Sequence, residues 1–204
     1  NNTAVGYQAG YSNTTGTELT AIGKGALYTN STGNYNTAVG YQSLRLNTTG
    51  SSNAAFGDEA LRSNTTGGNN TASGNIALYA NTTGTQNAAF GMQALRFNTT
   101  ASNNTAVGYQ AAYSNTTGSP TTAFGKQALY ANTTGTNNCA FGQGTLQTNI
   151  TGTDNSAFGT LALRDNTGLA NSAVGYASML TNTSGANNVA MGVSSLRVNT
   201  TGGQ

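Results

Sequence analysis

Residues 36–52 read Asn36-Thr37-Ala38-Val39-Gly40-Tyr41-Gln42-Ser43-Leu44-Arg45-Leu46-Asn47-Thr48-Thr49-Gly50-Ser51-Ser52, and the rest of the chain is this stretch rewritten. Its fifth residue recurs as Gly6, Gly23, Gly40, Gly57, Gly74, Gly91, Gly108, Gly125, Gly142, Gly159, Gly175 and Gly192. The step is 17 residues throughout, except for 16 between Gly159 and Gly175. A fixed short period marks stacked coils or blades. Seventeen residues are too few for a strand–helix unit, and the apolar spacing has no 3.6-residue period. The expected fold is all-β: a parallel β-solenoid (β-roll) of twelve coils, one continuous array over residues 1–204.

The unit divides by face. Thr37-Ala38-Val39-Gly40 is a short strand whose side chains alternate. Position 38 is Ala in all twelve copies, while position 39 is Val, Ile, Phe or Met with one Ser, Ser73. Small and invariant on one side, large and variable on the other, these columns admit two arrangements. Either Val/Phe fills the interior and Ala/Gly meets solvent, or Ala/Gly and the Leu44 column fill it and Val/Phe faces out. The second is favoured, because a solvent-facing column need not stay so small. It turns Val39, Phe56, Phe90, Val107, Phe124, Phe141, Phe158 and Val174 into an apolar stripe, larger than a soluble monomer leaves open and suited to contact between copies of the chain. The recurrent glycines are read as tight-packing positions.

Corners follow from polar chemistry. Asn13, Asn30, Asn47, Asn64, Asn81, Asn98, Asn115, Asn132, Asn149, Asn166, Asn182 and Asn199 form one column. Each opens an Asn-Thr-Thr-Gly-type turn, with Asn tolerating and Gly supplying left-handed backbone. Stacked asparagines can bond one another and corner backbone, satisfying polar groups that stacking would bury. A second Asn column (Asn36, Asn53, Asn70, Asn87) marks another corner, broken by Leu19 and Thr121. The short unit has lost a Thr at Asn166-Thr167-Gly168, a deletion in the turn that keeps strand register. At strand spacing, twelve coils make a rod about 58 Å long.

Composition narrows function. Charged residues are 6% of the chain, net charge is +2, and there is no His. That is too little charge for a nucleic-acid footprint, and no apolar run reaches the length of a membrane span. Catalysis lacks material: of Glu18, Asp58, Glu59, Asp154 and Asp165 only two adjoin, and strand neighbours face opposite ways. No metal-ligand cluster or cofactor motif is present, so no enzyme activity, metal or cofactor is expected. Cys139 replaces Thr37 in its copy and reads as a small strand residue.

Three surface readings remain. Most asparagines of the Asn47 column are Asn-x-Ser/Thr acceptors, which raises a row of glycans, though coils about 4.8 Å apart leave no room for full occupancy. Tyr11, Tyr28, Arg45, Arg62, Tyr79, Arg96, Tyr113 and Tyr130 share another column. It is either a self-stacking cation–π ladder or a surface for cell-surface glycans or envelope partners. Rows of Thr, as at Thr14-Thr15, Thr48-Thr49, Thr65-Thr66 and Thr82-Thr83, raise ice binding. Adjacent Thr alternate faces, however, and a two-wide array needs Thr-x-Thr.

The Asn-Thr/Ser-Ala-Val-Gly core at Asn36–Gly40, Asn104–Gly108 and Asn171–Gly175 resembles the repeats of phage tail fibres and related bacterial surface proteins. More distantly, it resembles the head repeats of YadA-like trimeric adhesins. The resemblance spans the chain but departs from the adhesin unit, usually about 14 residues, in length and in the added Asn-Thr-Thr-Gly corner. It implies a left-handed, homotrimeric β-roll. The expected function is a structural rod of an extracellular, cell-surface or virion fibre, a segment of a longer protein whose main partner is itself. A self-assembling end-to-end filament is the alternative.

Overall fold

The computed structural model describes residues 1–202 and is a parallel β-solenoid. Twelve strands stack in one sheet in chain order: Thr3–Val5 (β1), Thr20–Ile22 (β2), Thr37–Val39 (β3), Ala54–Phe56 (β4), Thr71–Ser73 (β5), Ala88–Phe90 (β6), Thr105–Val107 (β7), Thr121–Phe124 (β8), Asn138–Phe141 (β9), Ser156–Phe158 (β10), Ser172–Val174 (β12) and Val189–Met191 (β14). Asp165–Asn166 (β11) and Thr181–Asn182 (β13) pair separately. Twelve strands define about eleven turns, each advancing by one strand spacing of about 4.8 Å. Every pairing is in register, so like lies on like: Thr20, Thr37 and Ala54; Ala21, Ala38 and Ala55; Ile22, Val39 and Phe56.

The alternation resolves as expected. Ala38 and its equivalents from Ala21 to Ala173 are buried, and Leu27, Leu44, Leu61, Leu78, Leu95, Leu129, Leu146 and Leu163 meet them across a thin core. Each buried Leu contributes roughly 1.5–3 kcal/mol of transfer free energy. The Val39 column faces outward. Register survives the short coil: Ser156, Ala157 and Phe158 pair with Ser172, Ala173 and Val174. The deletion is absorbed in the turn, where Asn166 Nδ2 stretches to 3.5 Å from Asn149 Oδ1. Cys139 is half-buried in β9 between Thr122 and Ser156, and burial raises its thiol pKa.

The corners differ from the sequence reading. Neither Asn47 nor Gly50 is left-handed. Positive φ falls instead on Gln42 (51°), Leu44 (48°) and Ser52 (59°), and on their counterparts in other coils. Each such residue costs about 1–2 kcal/mol in isolation. Two forces hold Leu44 there: its side chain fills the core, and its N–H donates to the Ala60 carbonyl of the next coil at 3.0 Å. The turn glycine is required by proximity, since a Cβ on Gly50 would fall on the Gly67 carbonyl oxygen and against Asn47 Oδ1. The glycine after the strand is required twice over. Gly40 has φ +136°, and its Cβ would collide with the Gly57 carbonyl.

Candidate functional site

Local sequence builds three long features on this scaffold, one internal and two external. The internal one is a pair of asparagine ladders. Asn64 Nδ2 donates to Asn47 Oδ1 and to the Gly67 carbonyl, both at 2.8 Å, and Asn64 Oδ1 accepts from Asn81 Nδ2 at 2.8 Å. The motif repeats from Asn30 to Asn182, and these side chains are fully buried. Asn13 and Asn199 continue it, part-buried, toward the two ends. The second ladder uses Asn36, Asn53, Asn70, Asn87, Asn104, Asn138, Asn155 and Asn171, also buried. There each Oδ1 accepts the next coil's backbone N–H, as from Asn53 N to Asn36 Oδ1 at 2.9 Å. Leu19 and Thr121 keep the backbone half of that bond, to Asn2 and Asn104.

Burial bears directly on the acceptor motifs. Both N–H groups of Asn47, Asn64 and Asn81 are engaged inside the coil, and a glycan on that nitrogen has no space. The chain secreted from a host that performs N-glycosylation is expected to carry no sugar on the buried asparagines from Asn30 to Asn149. Site mapping by mass spectrometry checks this, and occupied asparagines in that column of folded protein contradict it.

The first external feature is the strand face. Val39, Val107 and Phe141 are half-buried, whereas Phe56, Phe90, Phe124, Phe158 and Val174 expose about 41–43% of their surface. The phenyl rings of Phe124, Phe141 and Phe158 stack on one another with centroids 5.3 and 5.2 Å apart. Stacking covers the ring faces and leaves their edges open along the rod.

The second is the Tyr/Arg column. Tyr11 and Tyr28 stack at 5.3 Å, Arg45 sits 5.3 Å over Tyr28, and Tyr113 stacks on Tyr130 at 5.1 Å. Arg62 lies over Tyr79 and bonds its hydroxyl, bonds Gln42, and pairs with Glu59 at 3.3 Å. Arg96 lies over the Phe97 and Tyr113 rings and bonds the Tyr113 hydroxyl, while its buried Nε has no hydrogen-bond partner. The ring faces that a sugar would need are thus largely taken by neighbours within the column. Rungs of this kind contribute about 0.5–1 kcal/mol each at exposed sites.

Among the described residues no three His, Cys, Asp or Glu side chains gather, and no cavity opens. Among the described residues no helix is long and apolar enough to cross a membrane. Comparison of the chain with protein-family models, curated proteins and solved structures found no match in any of the three.

Sequence reasoning missed the left-handed residues. A signal existed: Gly10, Gly25 and Gly144, glycines outside the two main columns, fall on those positions with φ of 60°, 70° and 63°.

Proposed function

We propose that this chain is part of a structural rod in an extracellular, cell-surface or virion fibre, a left-handed homotrimeric β-roll serving as a stiff spacer. The observation that carries this reading is the apolar strand face. It runs the length of the sheet, interrupted by Ser73 alone, and holds no charged residue at the Val39 position. Taking exposed fractions of aromatic and aliphatic side chains, the stripe amounts to on the order of 700 Å². That exceeds the roughly 300–600 Å² largest patch of a typical monomer and approaches the roughly 800 Å² that each partner contributes to a stable interface. Identical rods share one axial period, so copies meet along their full length without loss of register. The Asn-Thr-Ala-Val-Gly resemblance supports three copies and left-handed winding.

A spacer's length is proportional to its repeat count. Small-angle scattering of the chain is expected to give a rod of about 53 Å, eleven strand spacings. A chain carrying the array twice in tandem is expected to be about twice as long. A globular profile, or a tandem chain of unchanged length, contradicts the spacer reading.

A further inference from the structure

The two threonines of each Asn-Thr-Thr turn behave differently. The first is used by the fold: Thr48, Thr65, Thr82, Thr99 and Thr116 each donate their hydroxyl to a backbone carbonyl of the next coil, at 3.0–3.2 Å. The second is not. At 17-residue steps from Thr15 to Thr151 this place is Thr in nine consecutive coils. All nine are exposed, Thr49 and Thr83 among them. None of the nine hydroxyls bonds to protein, whereas the first threonines and both asparagine ladders engage their neighbours. Other exposed columns change chemistry from coil to coil, as in Tyr7, Lys24, Tyr41, Asp58 and Asn75. The fold alone gives this row no reason to stay Thr.

A second rank accompanies it. Beyond the turn residue the chain continues to Thr17, Asn34, Ser51, Gly68, Thr85, Ser102, Ser119, Thr136 and Thr153, a mixed row whose hydroxyls mostly bond within the rod, as Thr17 to Asn34 and Thr85 to Ser102. Six of the nine coils read Thr-Gly-Thr/Ser, the Thr-x-Thr arrangement that adjacent threonines alone do not provide, and Asn34, Gly68 and the Ala101-Ser102 pair interrupt it. Neither rank holds a charged residue, and only Glu18 and Asp154 stand at the next position. Along the rod the spacing is that of stacked strands, about 4.8 Å. Backbone holds the row still: the N–H groups of Thr48, Thr49 and Gly50 all donate to the Thr65 carbonyl.

We infer that the row of nine second threonines, Thr15 to Thr151, is an ice-binding face, with the mixed row beside it widening it where Thr or Ser stands. Its ligand is the surface of crystalline water, whose oxygens repeat along the basal direction at nearly the strand spacing. Free hydroxyls offer donors and acceptors at that period, and the threonine methyls between them exclude disordered water. Rigid presentation removes the ordering cost that flexible hydroxyls would carry on binding. This face is separate from the apolar stripe and does not depend on the fibre reading.

The test uses the full chain. Wild type is expected to open a gap between melting and freezing points and to partition into a slowly growing ice front. A chain carrying Thr83→Tyr and Thr117→Tyr is expected to lose most of that gap with its thermal melting unchanged, since neither hydroxyl has a protein partner. Tyr109→Lys, on a different face, is expected to keep it. Absence of any gap in wild type at high concentration overturns the inference without reference to the variants. So does a gap that the two tyrosines leave intact, and so does retention on crystalline polysaccharide with no effect on ice.

Discussion

Gly91→Ala is expected to be among the most damaging single-methyl substitutions in the chain. Gly91 has φ +126°, and a Cβ built on it lies 2.6 Å from the Gly108 carbonyl oxygen and 2.8 Å from its carbon. Both neighbours are backbone in a coil fixed by its own pairing, so neither yields by rotating a side chain. Strain from the glycine-only conformation and overpacking each cost about 1–3 kcal/mol, giving a loss on the order of 4 kcal/mol. In a stacked array the damage falls on the interface between coils, which links every coil beyond it. Denaturant titration is expected to show a lowered midpoint, with the two halves separating into distinct transitions. Gly192→Ala is the control. Gly192 shares the positive φ (+115°) but has nothing within 4 Å of the added carbon, so only the conformational part is expected. Equal losses at both sites contradict the close-stacking explanation.

Asn64 is the second position where a small change has a large effect. Asn64→Ala leaves Asn47 Oδ1 without a donor and one Asn81 N–H without an acceptor, both in a fully buried column. The Gly67 carbonyl keeps its bond from Asn53. Two orphaned groups at about 1–3 kcal/mol each predict a loss of about 2–5 kcal/mol. Asn64→Asp is expected to be worse despite its matching shape. Its carboxylate has no donor to offer and faces the Asn47 and Gly67 oxygens that Asn64 now bonds. Desolvation and those acceptors raise its folded pKa above the unfolded value of about 3.9. The sign is fixed by that order: the folded form holds the proton longer, so stability falls as pH rises above about 4. The gap between the Asp and Ala chains is expected to narrow toward acid, measured as denaturation midpoints across pH. An Asp chain equal to wild type at neutral pH contradicts the ladder.

Much of the fold is legible in the sequence because stacking forces like residues together. The period gives the coil, Ala38 against Val39 gives inside and outside, and the missing Thr beside Asn166 locates the deletion in a turn. Left-handed backbone is not legible in the same way. It is ordinarily announced by Gly or Asn, whereas here Leu44, Gln42 and Ser52 adopt it under constraint from the stack. Tertiary bonding and core burial override local preference, and only the stray Gly10, Gly25 and Gly144 betray the position. The surfaces divide likewise. The apolar stripe follows from alternation and the Thr rows are plain in the sequence, but which threonine of each pair is free shows only once Thr48 is seen bonded to backbone. The Tyr/Arg column shows its composition in sequence but not that its rings cover one another.

We propose above all that the Val/Phe stripe is covered by further copies of this chain. Sedimentation equilibrium on the purified chain tests it most directly. The predicted result is one discrete species at three times the chain mass, unchanged on dilution through the micromolar range. A stable monomer, or an open-ended series of polymers, contradicts it.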